Sequence, residues 1–225
     1  MPQLTEEVVI QRLTAAALII GGVLTLMSVI ILLQLGIPAS VTEIISIYST
    51  YDVLTKLGMI CRAIGIWSLV LGFANVHHFI GFGAGAAWGR LGFYSLIMGA
   101  SALTVATGIV IGAVEVSTVW LVEPMEEIIE VSGSLVIISQ NSFELASIII
   151  WAALIFVGIA WTRTIVYPKW SSWPLLFIGI ALLILSLLQI FIDATQTFNS
   201  ITTAVTGLLG IWALIAGIWL TRRAW

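Results

Sequence analysis

The sequence predicts an all-α fold, a polytopic transmembrane helical bundle with about six spans. Three observations predict it. First, 60% of the 225 residues are hydrophobic and only 8% are charged, against about 25% charged in soluble domains. Second, the apolar residues are gathered into long runs. Third, the loops between these runs carry charge whose sign alternates. A soluble chain of this length has no interior large enough to hide so much apolar surface. Hydrocarbon accepts it without cost.

A helix needs about 20 apolar residues to cross a bilayer. The runs place spans at approximately 13–35, 57–76, 89–113, 144–162, 174–193 and 202–221. Together they form a single six-helix transmembrane domain over 1–225. Backbone N–H and C=O groups find no water in lipid, so each run has to be helical. The first run is read as a retained helix: Glu6 and Glu7 precede it, and no clear small-residue cleavage site marks it as a leader.

Charge then orients the bundle. Arg12, Arg90, Arg163, Lys169, Arg222 and Arg223 fall on one side of the predicted spans. Glu43, Asp52, Glu115, Glu123, Glu126, Glu127, Glu130, Glu144 and Asp193 fall on the other, with Lys56 and Arg62. Basic loops stay in the cytoplasm. The expectation is a multi-pass protein of the cell membrane with both termini cytoplasmic and acidic loops external.

Short amphipathic helices are expected in two external loops. In the first, Ser40-Val41-Thr42-Glu43 has the spacing of a capping box, with Ser at the cap and Glu three residues on. Val41, Ile44, Ile45 and Tyr48 follow at helical spacing. In the second, Pro124 suits a first helical position and Glu126 and Glu127 complement the positive helix end. Asn141 with Glu144 reads as a cap for the fourth span.

One packing element recurs. Gly65 and Gly72 bracket an aromatic-containing octapeptide in the second span, and Gly210 and Gly217 do so in the sixth. Gly92 and Gly99 give a looser copy in the third. Seven residues are nearly two turns, so each pair shares a helix face and lets two backbones approach closely. Gly85/Gly89 and Gly108/Gly112 add the shorter small-xxx-small spacing. The pattern reads first as packing inside the bundle and second as a duplication of hairpins.

Ionisable groups at membrane depth are costly, so each marks a candidate site. Asp193 ends the fifth span near the outer interface, Gln189 lies one turn deeper on the same face, and Gln196 extends that stripe. Arg62 enters the second span from the same side as Glu144. Arg62 can snorkel to the interface or pair with Glu115, Glu144 or Asp193, so the cluster reads first as structural. In the second reading Asp193, Gln189 and Glu144 form a binding group for a cation or proton, with Arg62 as modulator. Nothing comparable lies at mid-depth, so no proton relay crosses the membrane.

Other chemistries find no support. Cys61 is the only cysteine, which excludes an internal disulfide and a multi-cysteine metal site. His77 and His78 point about 100° apart on a helix and are poorly placed to share one iron. No nucleophile elbow or zinc-protease motif occurs. The glycine-rich stretch from Gly81 to Gly85 lacks the Lys-Ser/Thr ending of a phosphate loop and reads as a hairpin turn. Lys56 and Lys169 sit in loops, which excludes a retinal Schiff base. Neither a cofactor nor a metal is expected. No basic patch is interleaved with aromatics, which excludes nucleic acid. Trp120, Trp161, Trp170, Trp173 and Trp225 fall near interfaces, where amphipathic rings are favoured.

The expected partner is the lipid bilayer, with protein subunits or further copies of the chain beside it. The first functional reading is a non-catalytic subunit or scaffold of a membrane assembly. The second is a small transporter or channel with an outward-facing cation or proton site near Asp193. A lipid-active enzyme comes third, and catalysis is the least supported.

Overall fold

The structure is a computed structural model that describes residues 6–36, 40–79, 84–122, 126–163, 168–191 and 195–224. Among the described residues there are seven helices and no strands. They are α1 (Glu6–Leu35), α2 (Val41–Thr50), α3 (Asp52–Phe79), α4 (Ala84–Val122), α5 (Glu126–Thr162), α6 (Lys169–Phe191) and α7 (Thr195–Ala224). All but α2 are long and apolar enough to cross a membrane. This is an integral, multi-pass membrane protein held in a lipid bilayer.

Local chemistry sets the helix ends. Gly36 stops α1: its φ is +84°, and its amide donates to the Leu33 carbonyl at 3.3 Å. That left-handed conformation costs glycine nothing. Ser40 then caps α2, with extended dihedrals and its hydroxyl accepting from the Glu43 amide at 3.2 Å. Asp52 opens α3, where a carboxylate complements the positive helix end. Lys56 bridges to Asp52 at 3.9 Å and to Glu115, which ties α3 to α4 at the acidic end.

The six long helices form a ring in the order α1, α3, α4, α5, α6, α7, with α7 closing back onto α1. Neighbours run in opposite directions, so Glu6 and Ala224 lie at the same end, the basic one. Close backbone approach builds the ring. On α3, a Cβ at Gly65 would stand 3.0 Å from the Thr25 hydroxyl, and one at Gly72 would stand 2.9 Å from Leu18. On α7, Gly210 and Gly217 meet the other flank of α1, at Leu26 and Ile19. On α4, Gly92 and Gly99 meet Val157 and Ile150 of α5 at 2.8 and 2.6 Å. Lipid tails are as apolar as leucine, so this fit of surfaces holds the helices together where water would have driven them.

The second external amphipathic segment is not a separate helix. Glu126 begins α5, which runs unbroken to Thr162, and Asn141 and Glu144 lie in its middle and cap nothing. Residues 123–125 lie outside the described residues. The polar stretch that reads as a loop stays helical through the packing of α4, α5 and α2 on one another, and its hydroxyls are met inside that packing. Ser139 donates to the Val136 carbonyl and Ser142 to the Ile138 carbonyl, each at 2.8 Å, and Ser117 of α4 meets Ser132 of α5 at 2.7 Å. With 39 and 37 residues, α4 and α5 are roughly 58 and 55 Å long. The hydrocarbon core is about 30 Å thick. The excess stands out at the acidic end, where Glu115, Glu127 and Glu130 lie. Against it packs α2, through Ile44 and Ile45 on Ala113 and Val136.

Towards the basic end the ring is filled. Phe73, Trp161 and Trp212 meet with ring centroids 5.6–6.0 Å apart. The Trp212 indole donates to the Ser171 carbonyl at 2.7 Å. Trp161, expected at an interface, instead points into this core and is 1% exposed. Its depth along the helix was legible in the sequence, but the direction it faces was not. Leu13, Ile30, Leu71, Met98, Val105 and Phe177 stay exposed on the outside of the ring, where they face lipid.

Candidate functional site

The acidic half of the ring is not filled. A cavity of about 250 Å³ lies there, walled by α1, α2 and the five other long helices. Leu32, Ile44, Ile47 and Met59 give it an apolar side, while Thr55, Ser139, Gln140, Ser186 and Thr203 give it a polar one. Arg62, Glu144 and Gln189 border it together. A second chamber of about 40 Å³ lies deeper, and Arg62, Ser147, Thr202 and Thr203 border both. Beyond it, towards the basic end, stands the aromatic cluster.

The charged groups are placed by three helices. Arg62 lies ten residues into α3, roughly 15 Å below its start. Its guanidinium sits over the Phe143 ring of α5, 5.0 Å from the centroid. Glu144 is the next residue of α5, and successive helical side chains diverge by about 100°. Its carboxylate turns instead to α6, where the Gln189 amide donates to Oε1 at 3.1 Å. The ion pairs of Lys56 with Asp52 and Glu115 lie elsewhere, and none within 4.0 Å joins Arg62 to Glu144. The guanidinium and carboxylate thus share one cavity without being paired to each other.

Hydroxyls complete the lining. Thr25, Ser28, Thr55 and Thr202 bury their side-chain oxygens with no hydrogen-bond partner among the described residues, and the Trp151 indole N–H is in the same state. All five residues border one cavity or the other. A buried unsatisfied polar group costs about 1–3 kcal/mol. Five of them lie around these two adjoining spaces.

Of the candidate group, the structure brings together only a part. Arg62, Glu144 and Gln189 converge. Asp193 lies outside the described residues. Gln196 does not continue the α6 stripe, because α6 ends at Phe191 and Gln196 belongs to α7. The structure adds Thr25, Ser28, Thr55, Thr202 and Tyr48, which sequence reasoning missed. Part of the signal was available: Thr25 and Ser28, and Thr202 and Thr206, stand three or four apart inside apolar runs, on one face of each helix. Among the described residues no cluster of three or more His, Cys, Asp or Glu could hold a metal. Comparison with known proteins finds no matching family model, no similar curated protein and no similar solved structure.

Proposed function

We propose that this protein is a small transporter that takes a polar solute into the cavity at its acidic end and releases it at its basic end. One observation carries the reading. The ring holds a polar, charge-lined space on its axis at one end, and Phe73, Trp161 and Trp212 close the same axis at the other. That asymmetry suits one state of an alternating-access cycle, in which helices rock around a fixed central site. The helix α2 covers the cavity through Ile44, Ile47 and Tyr48, between the turn at Gly36 and its end at Tyr51, and in this reading serves as the outer gate. The acidic end is the external one by the distribution of basic residues.

Labelling tests this without knowledge of the solute. In a Cys61→Ala background, Thr206→Cys places a thiol on the deeper chamber. In proteoliposomes of defined orientation, a membrane-impermeant maleimide should reach it from the acidic end. In a fraction of molecules it should also reach it from the basic end. Labelling from the acidic end alone, under every solute tried, would make the cavity a binding site without transport.

A specific observation favours a second reading, assembly. Most of the ring glycines meet a neighbouring helix, but a Cβ added at Gly108 or Gly112 on α4 would meet nothing within 4 Å among the described residues. They face outwards at the spacing that suits close approach of a further helix. In this reading the chain associates with itself or with other subunits through α4.

A further inference from the structure

We infer that the solute is a small zwitterion, which presents an anionic oxygen group to Arg62 and an ammonium group to Glu144. The inference rests on the transport reading above and specifies its substrate class.

Charge carries the first part. Arg62 and Glu144 border one cavity, and neither neutralises the other. Among the described residues the partners they do have are uncharged: the Phe143 ring for the guanidinium and the Gln189 amide for the carboxylate. A simple anion would satisfy Arg62 and leave Glu144 exposed to a like charge. A simple cation would do the reverse. A molecule with opposite charges at its two ends meets both groups at once. The planar guanidinium fork, held against the Phe143 ring, matches a carboxylate or phosphate edge through two parallel N–H donors. Gln189 occupies Oε1 of Glu144, which leaves lone pairs on the carboxylate for an ammonium donor.

The unpartnered hydroxyls are an independent observation. Thr55 is 1% exposed and Thr25 is 3% exposed, and beside these spaces their oxygens lack partners among the described residues. Hydroxyls both donate and accept, so they serve either end of a zwitterion. Volume sets the size. A dry cavity of about 150 Å³ holds benzene. By that measure the 250 Å³ here holds a ligand of roughly ten non-hydrogen atoms. The wall of Leu32, Ile44, Ile47 and Met59 receives a short apolar side chain. Two sources share this chemistry: a free amino acid, and the headgroup of an aminophospholipid.

The test uses the purified full chain in a maltoside detergent, whose headgroup is neutral. Its thermal unfolding midpoint is followed against four probes. Leucine is the whole zwitterion, 4-methylpentanoate lacks its ammonium, 3-methylbutylammonium lacks its carboxylate, and phosphoethanolamine is the headgroup. A zwitterion should raise the midpoint at concentrations about tenfold lower than either half-molecule, since each charged contact adds a comparable factor. A response to leucine assigns the free solute, and a response to phosphoethanolamine alone assigns the lipid headgroup. Arg62→Gln should respond to 3-methylbutylammonium as well as to leucine, and Glu144→Gln to 4-methylpentanoate as well as to leucine. If Arg62→Gln does not fold, Arg62→Lys keeps the charge and should keep the preference for the zwitterion with weaker binding. Equal responses to the zwitterion and its halves in the unaltered protein would overturn the inference and leave the transport reading standing. No response to any probe, together with one-sided labelling of Thr206→Cys, would remove both.

Discussion

Arg62 and Glu144 show how little of a site one helix determines. The ring beneath the guanidinium and the carboxylate beside it are consecutive residues of α5, and helical geometry sends them in different directions. Pairing is prevented by that divergence and by the amide of Gln189, which holds Glu144 towards α6. Tyr48 is the other informative side chain. It lies in α2 against the cavity, and burial pushes its phenol up from 10.0 to about 12. A raised folded-state pKa means that the neutral phenol is the form the fold prefers. Its contribution to stability is whole below pH 10 and is lost as pH rises towards about 12. Other groups titrate in that range, so the informative quantity is a difference. Alkaline unfolding, followed by tryptophan fluorescence, should steepen between these values in the unaltered protein and be shallower in Tyr48→Phe. Identical alkaline profiles would show that the phenol is not desolvated in solution.

At the scale of the helices, two kinds of glycine have to be told apart. Gly210 lies where a Cβ would meet Leu26 at 2.9 Å and the Gly22 carbonyl oxygen at 3.2 Å. The backbone there cannot step aside, so Gly210→Leu should destabilise the ring by at least about 1–3 kcal/mol. A lower unfolding midpoint in detergent would show it, and an unchanged midpoint would mean that α1 and α7 are not in contact. Gly108→Leu fills open space and should leave that midpoint unchanged. If α4 mediates assembly, the same substitution should shift the native mass spectrum towards the single chain. An unaltered mass distribution would remove α4 as an association face. The length of α4 and α5 is a related lesson. Their apolar content marks where they cross the bilayer, while their hydroxyl and glycine content reads as loop. Mutual packing, and the packing of α2 upon them, keeps both helical well beyond the hydrocarbon.

For the molecule as a whole, orientation is the open physical question that charge answers most directly. Arg12, Arg90, Arg163, Lys169 and Arg222 share one end of the ring, and Glu43, Asp52, Glu115 and Glu127 the other. Fluorescent reporters joined at either terminus should therefore light up in the cytoplasm, and alkaline phosphatase inserted at Pro124 should be active outside it. A phosphatase active at a terminus and silent at Pro124 would invert the topology and, with it, the side from which solute enters. The count of long helices, their alternation and the capping of α2 at Ser40 were all legible in residue order. Arg62, Glu144 and Gln189, which the structure brings to one cavity, were conspicuous in residue order too, as ionisable or amide side chains in or beside apolar runs. The hydroxyls Thr25, Ser28, Thr55 and Thr202 were not, because a threonine in such a run satisfies itself on its own helix as easily as it lines a cavity.

That division has one cause. Partition between water and lipid is additive along the chain, so residue order alone set the membrane environment, the helical state and the segregation of charge to two ends. Which face of each helix turns inward is not additive. Lipid-facing and core-facing positions draw on the same leucines, isoleucines and valines, so hydrophobicity does not distinguish them. The choice falls to surface fit and backbone approach, as at Gly22 against Gly210 and Gly99 against Ile150. Those contacts exist only once the ring has closed. Only the closed ring therefore decided that Trp161 faces the axis, that α5 continues through Asn141, and that Arg62 and Glu144 share a cavity.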